Sequence, residues 1–155
     1  MAQLMIRLAA PNDLEALRDI YRRSLLSNEG DRASLLAHPQ ALVWSELAIS
    51  EGRTRVAVDD GRIVGFASLP GPELEDLFVD PDWMRRGIGR ALVAEVIAIA
   101  RGQGLERLEV IANPHALTFY ESVGFGVDGT FETEFGPGYR IHIDVRGPML
   151  PTLRG

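Results

Sequence analysis

The stretch Leu77-Phe78-Val79-Asp80-Pro81-Asp82-Trp83-Met84-Arg85-Arg86-Gly87-Ile88-Gly89-Arg90-Ala91-Leu92-Val93 decides how this chain folds. It reads as a strand, a short loop and a helix. Leu77 to Val79 is apolar and partly β-branched. Pro81 ends it, because its ring removes a ladder donor and biases the preceding residue to extended geometry. From Ile88 the spacing turns helical: Ala91, Leu92, Val96, Ile99 and Ala100 fall on one face, with Arg90 and Arg101 off it, and Gly102 and Gly104 stop the helix.

The joint between strand and helix carries the chemistry. The first turn of any helix presents N–H groups without intrahelical partners, and no Ser, Thr, Asp or Asn stands directly before Ile88 to cap them. Gly87 and Gly89 stand there instead. Residues without a Cβ let a ligand approach the main chain, and Arg85, Arg86 and Arg90 add charge to a helix end that already favours anions. The pattern suits a phosphate or pyrophosphate; the plainer reading is a glycine turn with solvated arginines. A dinucleotide fingerprint needs Gly or Ala where Leu92 stands and a tighter turn off the strand, although Glu109 sits about where a ribose-binding acid belongs. A triphosphate loop needs Gly-Lys-Ser/Thr, and the chain offers Gly-Arg-Ala.

These residues carry a resemblance. Met84-Arg85-Arg86-Gly87-Ile88-Gly89 resembles the acyl-coenzyme A pyrophosphate loop of the GNAT superfamily of N-acetyltransferases, Q/R-x-x-G-x-G/A, with Met84 in the Q/R slot. Downstream, Asn113-Pro114-His115-Ala116-Leu117-Thr118-Phe119-Tyr120-Glu121-Ser122-Val123-Gly124-Phe125 is similar to the family's N-x-x-A-x-x-F-Y-x-x-x-G-F segment, the more specific of the two. The resemblance implies acetyl-coenzyme A as co-substrate and an amine of a small molecule or peptide as acceptor. Direct attack on the thioester, without a covalent enzyme intermediate, fits a chain with no Cys. The alternative is a coenzyme A-binding regulatory domain without turnover.

Bulk properties frame this reading. A chain of 155 residues should form one domain, 1–155, burying roughly 68–70% of its unfolded surface. The absence of Cys excludes disulfides, thiolate metal sites and a cysteine nucleophile, and three scattered His residues argue against a metal. Met1 to Ala10 holds too short an apolar run for a signal peptide, and no run approaches the roughly 20 apolar residues of a membrane span, so a soluble cytoplasmic protein is expected. A net charge of −6 argues against a nucleic-acid surface, and a homodimer is an assembly the resemblance allows.

In chain order, a strand at Met5–Leu8 precedes a helix from Pro11-Asn12-Asp13 to about Ser27, with Leu14, Leu17, Ile20, Tyr21 and Leu25 as its apolar stripe. Tyr21 reads as core or as a wall of the acceptor site. Asn28 to His38 reads as irregular and Pro39 to Ile49 as a helix. Thr54–Val58 and Ile63–Leu69 form a hairpin across Asp59-Asp60-Gly61-Arg62, and Pro70-Gly71-Pro72 breaks the chain before a strand from Glu73 to Val79. After the central helix come a strand at Arg107–Ala112, a short helix from Asn113-Pro114 to Gly124, and strands at Phe125–Phe131 and Tyr139–Val145, separated by a flexible loop from Glu132 to Gly138. The sum is an α/β, GNAT-type mixed, mostly antiparallel central sheet with helices on both faces.

By the resemblance, the strands at 73–79 and 107–112 are parallel neighbours that splay apart, and main-chain groups of Phe78 and Val79 meet the pantetheine arm. Backbone N–H groups from Arg86 through Gly87, Ile88 and Gly89 to Arg90 and Ala91 hold the pyrophosphate, with Arg85, Arg86 or Arg90 reaching phosphates. Asn113 contacts the arm beside Phe119, or caps the following helix. Tyr120 faces the thioester sulfur. A tyrosine near pKa 10 protonates a thiolate near 8.5 only uphill by about 2 kcal/mol, so hydrogen bonding to the developing thiolate is its safer role; plain packing is the other. An amine with pKa near 10 is about 0.1% neutral at pH 7, so a base is needed. Glu73 and Glu75, which share a strand face by period two, are the candidates, with Asp76 opposite unless a β-bulge rotates it. His142, Asp144, Glu132, Glu134, Tyr139 and Arg140 line the last strands as acceptor contacts or as a solvated face.

Overall fold

The computed structural model describes residues 4–27, 29–69, 71–133 and 136–145; Asn28, Pro70 and Glu134 lie outside them. The class is α/β, with antiparallel sheets flanked by helices. Two compact units divide the chain, Met1–Pro70 with Glu75–Val93, and Gly71–Leu74 with Ala94–Gly155.

In the first unit β1 (Leu4–Leu8), β2 (Thr54–Asp59), β3 (Arg62–Ser68) and β4 (Asp76–Val79) lie in that order, each antiparallel to the next. Helix α1 (Leu14–Leu26) buries Leu17 and Ile20, two of its predicted stripe, in a cluster with Trp44, Ala48, Ile49, Val56 and Phe66. Each such Leu, Ile, Val or Phe side chain contributes about 1.5–3 kcal/mol on burial.

The segment after α1 departs from its expected form. Residues 29–37, read as irregular, form α2 (Glu29–Ala37), a run of mostly good helix formers that docks through Leu35, 5% exposed. The helix expected from Pro39 to Ile49 is absent: a 3-10 turn covers Pro39–Leu42, Val43 is extended, and only the single turn α3 (Leu47–Ser50) follows. The carbonyls that would build it are taken from outside, Ala41 O by the Tyr21 hydroxyl at 3.3 Å and Trp44 O by Arg18 Nε at 2.9 Å. Burying the Trp44 indole overrides helical propensity there.

In the second unit β5 (Arg107–Ala112), β6 (Gly126–Thr133) and β7 (Gly136–Asp144) form an antiparallel sheet of order β5-β7-β6. The expected loop from Glu132 to Gly138 is instead the closing end of a hairpin paired out to Thr133 and Gly136. Gly138 serves close approach rather than flexibility, since a Cβ there would stand 3.2 Å from the Ala112 carbonyl.

The strands expected as parallel neighbours, 73–79 and 107–112, meet only briefly. Among the described residues parallel pairing is limited to one bridge, Glu73 with Glu109. There the Glu109 N–H donates to Pro72 O at 2.8 Å and the Leu74 N–H to Glu109 O at 2.7 Å, whereas the next N–H, of Glu75, donates to Ser68 O at 2.9 Å. The chain changes partner between Leu74 and Glu75, so β4 begins at Asp76 and not at Glu73. Helix α4 (Ile88–Gly102) begins and ends where its spacing predicts.

Candidate active site

The β4–α4 joint is anchored before it reaches its glycines. Asp80, 1% exposed, accepts Arg23 Nη1 at 2.8 Å and Nη2 at 2.9 Å, and its Oδ1 also accepts the Asp82 N–H at 2.9 Å, capping the 3-10 turn Pro81–Trp83. Arg62 Nη2 stands 3.5 Å from Oδ2. These donors, Arg23 foremost, lower the Asp80 pKa to about 2. Ser24 Oγ donates to Val79 O at 3.1 Å, and the Asp80 N–H to Val64 O at 2.8 Å.

Beyond this anchor the backbone turns left-handed twice, at Arg85 (φ 64°) and Gly87 (φ 81°). A non-glycine residue in that region costs about 1–2 kcal/mol, strain of the kind that collects at ligand sites. The first backbone bond of α4 runs from the Ala91 N–H to Gly87 O at 3.0 Å. The N–H groups of Ile88, Gly89 and Arg90 precede that ladder, and no side chain among the described residues caps them. Nothing lies within 4 Å of where a Gly87 Cβ would be. An open, uncapped helix start flanked by exposed Arg85, Arg86 and Arg90 fits a diphosphate. Arg86 lies 4.5 Å from the Trp83 ring centroid, a cation–π contact that holds it at the loop.

The loop is pressed onto the sheet through Gly65 of β3. A Cβ there would stand 2.9 Å from Phe78 O, 3.1 Å from Ile88 Cγ2 and 3.2 Å from Leu92 Cδ1. Phe78 and Val79 are half-buried on β4, an edge strand of its sheet, with Phe78 stacked on Phe66 at 5.5 Å and edge-on to Tyr21 at 5.0 Å.

The expected base pair of glutamates is not one strand face. Glu73 is exposed on the segment bridged to β5, while exposed Glu75 is held by Arg53 Nη1 at 2.8 Å. Asp76, between them and Phe78, is half-buried and accepts Trp44 Nε1–H at 3.0 Å.

In the second unit Asn113 Oδ1 accepts the Ala116 N–H at 2.9 Å, the capping role, which leaves its NH2 group as a donor. Helix α5 (Leu117–Ser122) carries Phe119 and Tyr120; the Tyr120 ring is buried, edge-on to Phe119 at 5.3 Å and to Phe125 at 5.2 Å. On β7, His142 Nδ1 donates to Asp128 at 2.9 Å, with Arg107 Nη2 at 3.1 Å from the same carboxylate, and Arg140 lies 5.1 Å over the Phe131 ring, so the chain itself partners these polar groups.

The sequence singles out neither Asp80 nor Trp44, and it sets Asp76 opposite Glu73 and Glu75 unless a β-bulge rotates it. Asp80-Pro81-Asp82 is a turn signal, and period two puts Asp76 on the Phe78 face, but nothing local names Arg23 or Trp44 as partners.

The Acetyltransferase (GNAT) family model matches residues 14–125 of this chain. The chain belongs to the GNAT acetyltransferase family. It is 33% identical over 140 residues to the peptidyl-lysine N-acetyltransferase YjaB of Salmonella typhimurium (strain LT2), covering 83% of this chain and 88% of that protein. It is 28% identical over 144 residues to the L-amino acid N-acetyltransferase AaaT of Escherichia coli (strain K12), covering 84% and 87%. The solution structure of apo-form YjaB from Escherichia coli superposes with a TM-score of 0.72 at 28% identity, covering 90% of this chain and 97% of that one. This GNAT protein is an acyl-coenzyme A-dependent N-acyltransferase, with acetyl-coenzyme A as co-substrate and an amine as acceptor, and the reading as a regulatory domain without turnover is not favoured. None of its described helices is long and apolar enough to cross a membrane.

Proposed function

We propose that residues 1–155 work as one cytoplasmic N-acetyltransferase domain, acetylating the amine of a peptide lysine or a small amino compound. The carrying observation is the uncapped start of α4 behind a left-handed Gly87. Main-chain donors from Arg86 through Gly87, Ile88 and Gly89 to Arg90 take the pyrophosphate, the Ala91 N–H being taken by Gly87 O, and Arg85, Arg86 and Arg90 add charge-assisted contacts. Main-chain groups of Phe78 and Val79, the Asn113 amide and the Phe119 ring hold the pantetheine arm. Acetyl-coenzyme A supplies an activated acyl group, and the Tyr120 hydroxyl stabilises negative charge developing on the departing sulfur. The proton of the attacking amine goes to a carboxylate near the start of β4, Glu73 and Glu75 being the sequence candidates. The names of the relatives, one acting on peptidyl-lysine and one on L-amino acids, support the acceptor class. Nucleic acid is not a partner, in keeping with the net charge of −6.

The test is release of free thiol from acetyl-coenzyme A across a panel of lysine peptides, amino acids and polyamines. Release with at least one amine is expected; binding without release from any would overturn the reading. Light scattering of the same preparation checks for the homodimer that the resemblance allows.

A further inference from the structure

Three carboxylates stand near the start of β4, and their surroundings differ. Glu73 faces solvent, and Glu75 is committed to the Arg53 guanidinium at 2.8 Å. Asp76 lies two residues before Phe78 on the same strand, hence on the same face. There Phe78 meets Phe66 and Tyr21, and Trp44 packs edge-on against Phe66 with ring centroids 5.1 Å apart while its indole reaches Asp76 Oδ2 at 3.0 Å. The half-buried Asp76 carboxylate therefore borders an aromatic cluster of Tyr21, Trp44, Phe66 and Phe78, with the Ser68 hydroxyl as a second hydrogen-bond partner.

An indole N–H donates and never accepts. Its bond keeps Oδ2 an acceptor in both charge states, so an incoming proton is directed to Oδ1. We propose that Asp76 is the catalytic residue that receives the proton of the acceptor amine, and that Trp44 is the positioning residue that aims its carboxylate. This rests on the N-acetyl-transfer reading and replaces Glu73 and Glu75 in the role of base. The ammonium gives one proton to Asp76 Oδ1, and the freed lone pair attacks the thioester carbonyl carbon. The C–S bond then breaks, the nitrogen's second proton passes to the departing thiolate, and Asp76 returns its proton to water.

Burial is the largest influence on the Asp76 carboxyl and pushes it above the usual carboxylate range, towards the strength of base the step needs; Trp44 and Ser68 pull it back. The charged groups bearing on it are Glu75, which raises it, and Arg53, which lowers it. Tyr21, itself pushed up by burial and by Asp76, stays a neutral phenol.

The experiment follows thiol release against pH for the wild-type chain, Asp76→Asn and Trp44→Phe, with coenzyme A affinity measured alongside. Asp76→Asn should lower kcat by about 100-fold or more, abolish the acid limb of kcat/KM and leave the coenzyme A Kd within about twofold, which also shows that the variant is folded. Trp44→Phe, lacking a bond that favours the carboxylate, should move the acid limb to higher pH. An Asp76→Asn enzyme with wild-type kcat and acid limb overturns the proposal, as does an acid limb that Glu73→Gln or Glu75→Gln removes and Asp76→Asn keeps. An unmoved limb in Trp44→Phe overturns the positioning role. A wild-type chain that releases no thiol with any amine overturns the acyl-transfer reading along with it, whereas wild-type turnover that Asp76→Asn leaves unchanged overturns the proposal alone.

Discussion

Arg23 of α1 grips Asp80 at the end of β4 with both terminal nitrogens, at 2.8 and 2.9 Å, across 57 residues of sequence. The pair fixes where the chain leaves the sheet and hence where the glycine loop begins, so fold and site meet in one ion pair.

Asp80→Ala removes the buried carboxylate that Arg23 grips and the cap of the Pro81–Trp83 turn, while Arg23, 34% exposed, keeps Asp19 at 2.8 Å. The loss of charge-assisted hydrogen bonds and of the cap should cost about 1–3 kcal/mol in chemical denaturation. The Asp80 pKa is lowered from its ordinary value to about 2 in the folded chain. Its stabilisation is therefore complete above the unfolded value near 4 and is lost as pH falls towards 2. Denaturation curves across that range should show the wild type losing stability steeply and Asp80→Ala losing less.

Gly89→Val tests the cradle. Val is no worse than Gly in a helix interior, so the thermal transition should hold within a few degrees. A branched side chain beside the uncapped N–H groups should weaken coenzyme A binding by about tenfold or more in calorimetry, and unchanged affinity would refute a main-chain diphosphate site.

Gly65→Ala tests how closely the loop and helix must press on the sheet. The added methyl would stand 2.9 Å from the Phe78 carbonyl, a backbone atom that cannot swing aside. A loss of about 1–3 kcal/mol in urea denaturation is expected, together with weaker coenzyme A binding as Ile88 is displaced.

Tyr120→Phe separates chemistry from packing. The ring contacts with Phe119 and Phe125 survive the change, so stability should shift by less than about 1.5 kcal/mol. If the hydroxyl stabilises the departing sulfur, kcat falls by about 10-fold or more while the KM for acetyl-coenzyme A hardly moves. An unaltered kcat would make Tyr120 a core residue alone.

Where neighbours in sequence are also the physical partners, the chain was legible from its text. The 3.6-residue stripe of α4, the period-two run of β5 and the Asp59-Asp60-Gly61-Arg62 turn are set by contacts within a few residues, and the Gly87-x-Gly89 joint needs only local backbone geometry. The family motifs at 84–89 and 113–125 belong to the same category, which is why acyl transfer was readable before any coordinates.

Tertiary structure decided what depends on distant partners. Tyr21 and Arg18 draw off the carbonyls that would have made 39–49 a helix, and burial of Leu35 makes one of 29–37. Glu109 takes the Leu74 N–H, so β4 starts three residues late and Glu73 and Glu75 do not share one strand. Trp44, 32 residues before Asp76, donates its indole N–H to that carboxylate, a partner no local pattern names. Hydrogen-bond partners and burial are set by which surfaces the folded chain brings together, and periodicity within one segment carries no record of them.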